Sequence, residues 1–183
     1  MIITETNLEG CFILEPKIHI DRRGYFVETY NHKQFENELG LDINFVQDNE
    51  SKSSKGVLRG LHYQRGKHAQ AKLVRVIKGE ILDVVVDIRK SSRTFGKHFS
   101  IILSEKNKKQ LFIPRGFAHG FLVLKGETVF SYKCDNYYNK ASESGIIFND
   151  SQLNIDWVMP ASEIVLSDKD KRLQSFETYI NEN

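Results

Sequence analysis

The 183-residue sequence has few cysteines, no long apolar run and no recognisable targeting segment. Its 2 cysteines, Cys11 and Cys134, are too few for a disulfide framework and lack metal-ligand spacing. Free thiols are typical of a reducing compartment. No apolar stretch approaches the roughly 20 residues of a membrane span, and Met1 is not followed by the basic and then apolar layout of a signal peptide. We therefore expect a cytoplasmic protein that does not enter a membrane.

Charge of one sign is not in excess. Lys and Arg number 26 and Asp and Glu number 24, which leaves a formal charge of +2. A nucleic-acid face needs a clustered basic excess, so we do not expect a nucleic-acid partner, although a local basic pocket for a small anion remains open. A hydrophobic content of 40% is enough for one core, and we expect a single domain over residues 1–183.

Helical patterns are scarce, and short β-branched or aromatic runs dominate. One helix is predicted over residues 31–39, with Asn31 as its cap and Gly40 as its end, and a second short helix closes the chain. Lys-Gly-Glu at 78–80 and again at 125–127 is predicted to form turns that end strands. This pattern predicts an all-β antiparallel sandwich or barrel. The predicted strands cover residues 12–14, 25–30, 72–77, 81–88, 99–103, 110–113, 121–124 and 128–132.

The stretch from Gly56 to Gln64 holds Arg59 and His62 among apolar neighbours. In a regular strand, side chains three positions apart point to opposite faces. A bend or bulge at Gly60 would direct both toward one cavity. The alternative is a core histidine satisfied by one hydrogen bond, with Arg59 in a surface ion pair.

A metal site is the first hypothesis for a β-barrel with scattered histidines. Around His62 the alternate positions are Gly60 and Gln64, so no His-x-His pair exists, and the second prominent histidine, His119, stands alone after a Pro-Arg-Gly turn. The sequence therefore predicts no metal site. The remaining histidines lie in charged or turn segments typical of a surface, namely His19, His32, His68 and His98.

Acid–base chemistry fits these residues better. A neutral histidine works as a base when a carboxylate holds its far nitrogen. Tyrosines 132, 137 and 138 are candidate acids, of which Tyr132 ends an apolar strand and could instead cover the barrel rim. Lys72 could stabilise an oxyanion or be a solvated strand-start lysine. Asp170 could partner a histidine or cap the turn that starts at Ser167.

Charge for a bound diphosphate could come from Arg23, Arg59 and Lys169. A glycine-rich phosphate loop is missing from the sequence, so recognition would use side chains.

Five motifs in register resemble the dTDP-4-dehydrorhamnose 3,5-epimerase family. They are residues 56–64, 72–76, 83–89, 114–121 and 166–170, and the likeness runs from about Gly10 to Phe176. The chain departs from the family pattern at 171–176, where a proline is expected before Phe176, and at 157–160, where Trp-Pro is usual. Both departures lie outside the catalytic set.

The resemblance implies a metal-independent, cupin-type jelly-roll β-barrel with a few short peripheral helices. It implies a homodimer in which the strand carrying Arg23 and Glu28 is lent across the interface. The implied substrate is dTDP-4-dehydro-6-deoxy-D-glucose, a dTDP-linked 4-keto-6-deoxy sugar that is inverted at C3 and C5 without a cofactor.

The resemblance also implies a role for each site residue. His62 is the base, paired with Asp170, and Tyr132 is the proton donor on the opposite face. Lys72 binds the C4 oxygen, and His119 lies beside the sugar. The other implied substrate-binding residues are Arg59 and Arg23 at the diphosphate, Tyr138 stacked on the base, and Phe26, Glu28, Gln47, Asn49, Glu143 and Lys169.

Three alternatives remain. The first is a single-centre epimerase acting on a related nucleotide-linked 4-keto sugar, which would use the same base and acid. The second is a non-catalytic sugar-nucleotide-binding cupin, which would not require an acid–base pair. The third is a metal-dependent cupin oxygenase or isomerase, which the missing ligand set disfavours.

Overall fold

The computed structural model describes residues 1–182, so Asn183, the last residue of the expected domain, lies outside the described residues. Strands make up 46% of the chain, and within the described part there are two short α-helices, α1 (His32–Leu39) and α2 (Phe176–Glu182). The strands are β1 Ile2–Glu5, β2 Phe12–Glu15, β3 Ile18–Asp21, β4 Gly24–Val27, β5 Gln47–Ser54, β6 Leu58–Gln64, β7 Lys72–Asp87, β8 His98–Ser104, β9 Gln110–Ile113, β10 Phe117–Cys134 and β11 Glu143–Gly145.

The two long strands β7 and β10 pair with each other and run through two layers. In what we call the first sheet, the order is β5-β10-β7-β9-β2-β1, with β10 contributing 128–134 and β7 contributing 72–78. In the second sheet, the order is β8-β7-β10-β6-β11. All these pairs are antiparallel, as the sequence predicted.

The Lys-Gly-Glu segments were wrongly predicted to end strands. Each segment forms a bend inside a long strand. At the bends the register between β7 and β10 shifts, around Lys125 and Val129, and the two strands stay paired on either side. Gly79 has a φ of 87°, and a Cβ there would collide with Thr128 on β10. Glycine therefore lets β7 turn from one sheet to the other without breaking the ladder.

Three apolar clusters hold the layers together. The inner cluster lies between the sheets and joins Val76 and Phe130 of the first to Ile81 and Phe121 of the second. The outer face of the second sheet is covered by the C-terminal segment, including Trp157, Phe176 and Tyr179. The outer face of the first sheet packs on Phe35 of α1. Such burial, at about 25 cal/mol per Å² of apolar surface, is the main force that fixes the sandwich.

Helix α1 follows the local signals in the sequence. Asn31 Oδ1 accepts a hydrogen bond from the backbone N–H of Gln34, and Gly40 ends the helix in the left-handed region with a φ of 65°. The Gln34 side chain bonds to Glu38 and not back to the cap, so the capping box is only half formed. The closing helix also forms, as α2.

Candidate active site

A cavity of about 530 Å³ lies between the two sheets. Eight of the predicted site residues line it, which are Arg59, His62, Lys72, His119, Tyr132, Glu143, Lys169 and Asp170. An adjoining groove of about 380 Å³ shares five of these and adds Gln47, Asn49 and Tyr138. Side chains from both sheets therefore converge on one space, although their positions span more than 120 residues of sequence.

The bulge expected at Gly60 forms in β6. Arg59 pairs with Phe121 and His62 pairs with His119, so three steps along β6 match two steps along β10. Arg59 and His62 consequently both line the cavity, while Leu61, which lies between them in sequence, is buried in the outer cluster. A Cβ at position 60 would collide with Gly120, so only glycine allows this close strand approach.

His62 and Asp170 form a hydrogen-bonded pair, with 2.5 Å between His62 Nε2 and Asp170 Oδ1. A 3-10 turn, Asp170–Arg172, presents the carboxylate, and Ser167 Oγ accepts the Asp170 backbone N–H. Burial raises the pKa of Asp170, but hydrogen bonds from His62 and Ser167 outweigh it and hold the pKa below its usual value. Because an ionised carboxylate only accepts, Nε2 carries the proton and the lone pair lies on Nδ1.

The capping alternative for Asp170 is therefore wrong. The serine caps the turn, and the aspartate side chain is directed to an imidazole on another strand.

Tyr132 and Lys72 come from the first sheet, opposite His62. Lys72 Nζ lies 5.8 Å from the centre of the Tyr132 ring. Burial raises the pKa of Tyr132, so its phenol keeps its proton at neutral pH. Burial also lowers the pKa of Lys72, and this effect outweighs the attraction of neighbouring groups, including Asp83, which raises the pKa. The ammonium group is thus a stronger proton and hydrogen-bond donor than a solvated lysine. Tyr137, also considered as an acid, is 66% exposed.

A second histidine–aspartate pair lies beside the first. His119 Nε2 is 2.9 Å from Asp83 Oδ2, and both residues are buried. Burial lowers the pKa of His119, and the attraction of Asp83 opposes this only in part. The sequence reasoning did not select Asp83. A signal was present, because Asp83 interrupts the apolar run of residues 81–88, where a buried charge requires a partner.

The groove beside the cavity is bordered by Glu143. Its two carboxylate oxygens are 2.9 Å from the Tyr138 hydroxyl and 2.6 Å from Lys169 Nζ. Burial raises the pKa of Glu143, but these partners hold it below its usual value. Gln47 accepts the Tyr138 backbone N–H at 3.0 Å and donates to Asn49 at 3.0 Å. Polar groups and one half-exposed aromatic ring are thus arranged along the groove.

Three predicted residues do not reach this space. Arg23, Phe26 and Glu28 lie on or just after the β3–β4 hairpin, which forms its own two-stranded sheet. The Arg23 side chain is 84% exposed and pairs with Asp21 of the same hairpin. These residues do not line the cavity or the groove of their own chain.

Residues 1–182 show neither a cluster of metal-binding side chains nor a helix that could cross a membrane. Among those residues, no three or more His, Cys, Asp or Glu side chains lie together in a way that could hold a metal ion. In the same part of the chain, no helix is long and apolar enough to cross a membrane. Cys11 and Cys134 are both free and buried.

A family model described as dTDP-4-dehydrorhamnose 3,5-epimerase matches residues 5–178. The chain belongs to this family. An epimerase of this name from Shigella flexneri is 53% identical over 176 residues, covering 96% of each chain. The crystal structure of the epimerase from Elizabethkingia anophelis NUHP1 superposes with a TM-score of 0.94 at 56% identity, covering 97% of each chain.

A further family structure contains a sugar nucleotide. The dTDP-6-deoxy-D-glucose-3,5-epimerase from Legionella pneumophila Philadelphia 1, in complex with dTDP-4-keto-L-rhamnose, has a TM-score of 0.93 and 48% identity, covering 96% of this chain and 93% of that one. The resemblance inferred from the motifs and the cupin jelly-roll fold are both confirmed.

Proposed function

We propose that this member of the epimerase family inverts C3 and C5 of dTDP-4-dehydro-6-deoxy-D-glucose to give dTDP-4-dehydro-L-rhamnose, in dTDP-L-rhamnose biosynthesis. The observation that carries the proposal is the placement of the His62–Asp170 pair on one wall of the cavity and of Tyr132 on the facing sheet. A base and an acid on opposite sides of one ligand are what an inversion requires.

The chemistry of the substrate explains the residue types. C3 and C5 are both α to the C4 ketone, so removal of either proton gives an enolate that shares the C4 oxygen. His62 Nδ1 takes the proton, and Asp170 stabilises the imidazolium that forms. Tyr132 returns a proton to the other face of the same carbon. Once the imidazolium has released its proton to solvent and the phenolate has taken one up, the same base and acid can serve the second centre.

The enolate oxygen needs positive charge or a hydrogen-bond donor. Lys72 lines the cavity between the two sheets, and its lowered pKa favours donation to a developing oxyanion. His119, which pairs with His62 on the second sheet and is held by Asp83, lies beside the sugar. The reaction moves only protons, so side chains of the chain suffice and no cofactor is required.

The nucleotide occupies the cavity entrance and the groove. Arg59 and Lys169 supply positive charge for the diphosphate, and Tyr138 offers a half-exposed ring for stacking on the base. Gln47, Asn49 and Glu143 supply hydrogen-bonding groups to the same groove. Lys169 is bound to Glu143 at 2.6 Å and exchanges that partner for phosphate when the ligand binds.

We also infer a homodimer that exchanges the β3–β4 hairpin. Ile20 is 82% exposed, Tyr25 58% and Phe26 69%, an unusually apolar surface for a hairpin that pairs with no other strand of residues 1–182. Docking on a second chain would bury these side chains and bring Arg23, Phe26 and Glu28 to the partner's site. The free, buried cysteines support the cytoplasmic location that we propose.

Incubation with the dTDP-4-keto sugar in deuterium oxide tests the proposed reaction. We expect deuterium at both C3 and C5, read by NMR, with accumulation of the L-configured product. Label at one carbon alone would identify a single-centre epimerase. Tight binding of the sugar nucleotide without any label would identify a non-catalytic binding protein. His62→Ala should abolish exchange at both carbons.

A further inference from the structure

Residues 135–139 form the loop that follows β10 and carries Tyr138, the ring proposed to stack on the nucleotide base. The loop lies outside the paired strands, so its backbone N–H groups need other acceptors. Three consecutive N–H groups are held by side-chain oxygens, namely Tyr137 by Asn136 Oδ1 at 2.9 Å, Tyr138 by Gln47 Oε1 at 3.0 Å and Asn139 by Gln64 Oε1 at 2.8 Å. Side chains, rather than a strand ladder, therefore fix this part of the loop.

Two glutamines reach the loop from opposite sheets. Gln47 begins β5 of the first sheet, and Gln64 ends β6 of the second. Gln64 uses both ends of its amide, because Oε1 accepts from Asn139 and Nε2 lies 3.5 Å from the carbonyl oxygen of Tyr137, a weaker contact. One side chain thus holds the residues on both sides of Tyr138. The backbone of Tyr138 is fixed across the opening between the two sheets.

The ring of Tyr138 is also held at its far end. Its hydroxyl donates to Glu143 Oε2 at 2.9 Å, and Glu143 pairs with Gln64 in the register of β11 with β6. Tyr138 is nevertheless 51% exposed. Exposed side chains normally change rotamer freely, so an exposed ring that is fixed at its backbone and at its hydroxyl is a preorganised surface for a flat ligand group.

We propose that Gln64 is a positioning residue that holds the Tyr138 ring ready to stack on the nucleotide base; this rests on the proposed function, which places the base there. The motif of residues 56–64 was selected for Arg59 and His62, and the family resemblance gave Gln64 no role. Gln64 follows His62 by two residues on the same strand, so it ties the place of the base to that of the catalytic imidazole. Without its amide, the ligand itself has to order the loop, which lowers affinity.

Gln64→Ala tests the assignment, with Gln152→Ala at an exposed glutamine as the matched control. Calorimetric titration with dTDP measures the base contact, and inorganic diphosphate is the matched ligand that has no base. For Gln64→Ala we expect the Kd for dTDP to rise by about 3- to 10-fold, the cost of ordering a loop on binding, and the Kd for diphosphate to stay the same. In turnover of the dTDP-4-keto sugar, KM should rise by a similar factor and kcat should stay within about threefold, because Tyr138 contacts the nucleotide and not the reacting carbons.

A double-mutant cycle with Tyr138→Ala separates positioning from direct contact, because Gln64 also lines the groove. Tyr138→Ala alone should raise the Kd for dTDP by about 5- to 150-fold, the contribution of one base–aromatic stack. Adding Gln64→Ala should then cause little further loss, because the ring that the glutamine positions is gone. Losses that multiply would show that Gln64 contacts the nucleotide itself and would overturn the positioning role.

Three other results would also overturn it. The first is a dTDP affinity of Gln64→Ala equal to that of the wild type. The second is an equal loss of affinity for diphosphate, and the third is a fall in kcat of about tenfold or more, since either would show a general distortion of the site. Gln152→Ala should match the wild type throughout.

The two proposals fail in different ways. Wild-type protein that binds dTDP but does not epimerise the sugar would refute the proposed function, while the dTDP cycle of Gln64 and Tyr138 would still decide the positioning role. Wild-type protein that turns over substrate, with Gln64→Ala indistinguishable from it, would refute the positioning role alone. Wild-type protein that does not bind dTDP would refute both.

Discussion

Replacing Asp170 by asparagine removes one charge from the site while keeping the shape of the side chain. Asp170 is 4% exposed, and its carboxylate accepts a hydrogen bond from His62 Nε2 at 2.5 Å. A hydrogen bond to a charged group contributes about 1.5–3 kcal/mol, which corresponds to a rate loss of about 10- to 150-fold if it acts on the imidazolium of the transition state.

A second effect of Asp170→Asn acts on the tautomer. The new amide can present its NH₂ group to Nε2, which moves the imidazole proton to Nδ1 and occupies the lone pair that takes the substrate proton. Together the two effects predict a fall in kcat of about 10²- to 10⁴-fold, and the upper value is the loss seen when the carboxylate behind the catalytic histidine of a serine protease is replaced by an amide. KM should change much less, because the carboxylate contacts the base and not the ligand.

Deuterium exchange at C3 and C5 is the assay, with Asp168→Asn as control. The Asp168 side chain is 88% exposed and forms a surface ion pair with Lys171 at 3.5 Å, so its replacement should lower the exchange rate by less than about twofold. Exchange by Asp170→Asn at more than a third of the wild-type rate would refute the dyad. Loss at one carbon alone would refute a single base for both centres.

The pH dependence of unfolding in urea tests the role of Asp170 independently of activity. The pKa of Asp170 lies below its usual value in the folded protein, so its ionised form stabilises the fold above the unfolded pKa of about 3.9. That contribution is lost as the pH falls through the lower, folded pKa. Asp170→Asn should therefore unfold at lower urea than the wild type at pH 7, and the difference should shrink in acid. A difference that is constant with pH would contradict the pKa direction.

Three further predictions concern the donor, the dimer and the fold. Tyr132→Phe should raise the ratio of deuterium exchange to inversion by about tenfold or more by NMR, because the base remains and the acid is lost; equal losses would contradict the donor role. A refolded equimolar mixture of His62→Ala and Arg23→Ala chains should regain activity. Half of the dimers are then hybrids and each hybrid holds one complete site of two, so roughly a quarter of all sites are intact. No recovery of activity would contradict hairpin exchange. Asp87→Asn should lower the free energy of unfolding in urea by about 3–5 kcal/mol at pH 7, because buried Asp87 forms an ion pair with Arg89 at 2.7 Å. Hydrogen bonds from Arg89 and from neighbouring hydroxyls also hold the pKa of Asp87 low, so the difference in stability between wild type and variant should disappear in acid. Equal stability at pH 7 would contradict this prediction.

The sequence was sufficient for the class of fold and for the elements whose signals are local. Short β-branched runs predicted an antiparallel all-β sandwich, and Asn31 and Gly40 marked helix α1 to within one residue. The bulge at Gly60 could also be read from the chain, because glycine between Arg59 and His62 is the means of turning both to one side. These features depend on neighbours within a few residues, and the sequence displays those neighbours directly.

Partners that lie far apart in the chain needed the tertiary structure. Ser167 and Asp170 fit a capping motif, and only the fold shows that the carboxylate meets His62, 108 residues away. The Lys-Gly-Glu segments look like turns, and only the paired β10 strand shows that β7 continues through a bend. The outcome in each case depends on which strand packs opposite, and local propensity carries no information about that.

The amino-acid sequence by itself therefore determined the family, the β-sandwich class and the residue types for proton transfer, because the five motifs and the local signals each consist of residues that are close together in sequence. The tertiary structure decided which of those residues share a cavity and that Asp83 supports His119. It also separated Arg23, Phe26 and Glu28 from the cavity of their own chain. These facts follow from strand register and layer packing, which are set by burial of apolar surface over the whole molecule.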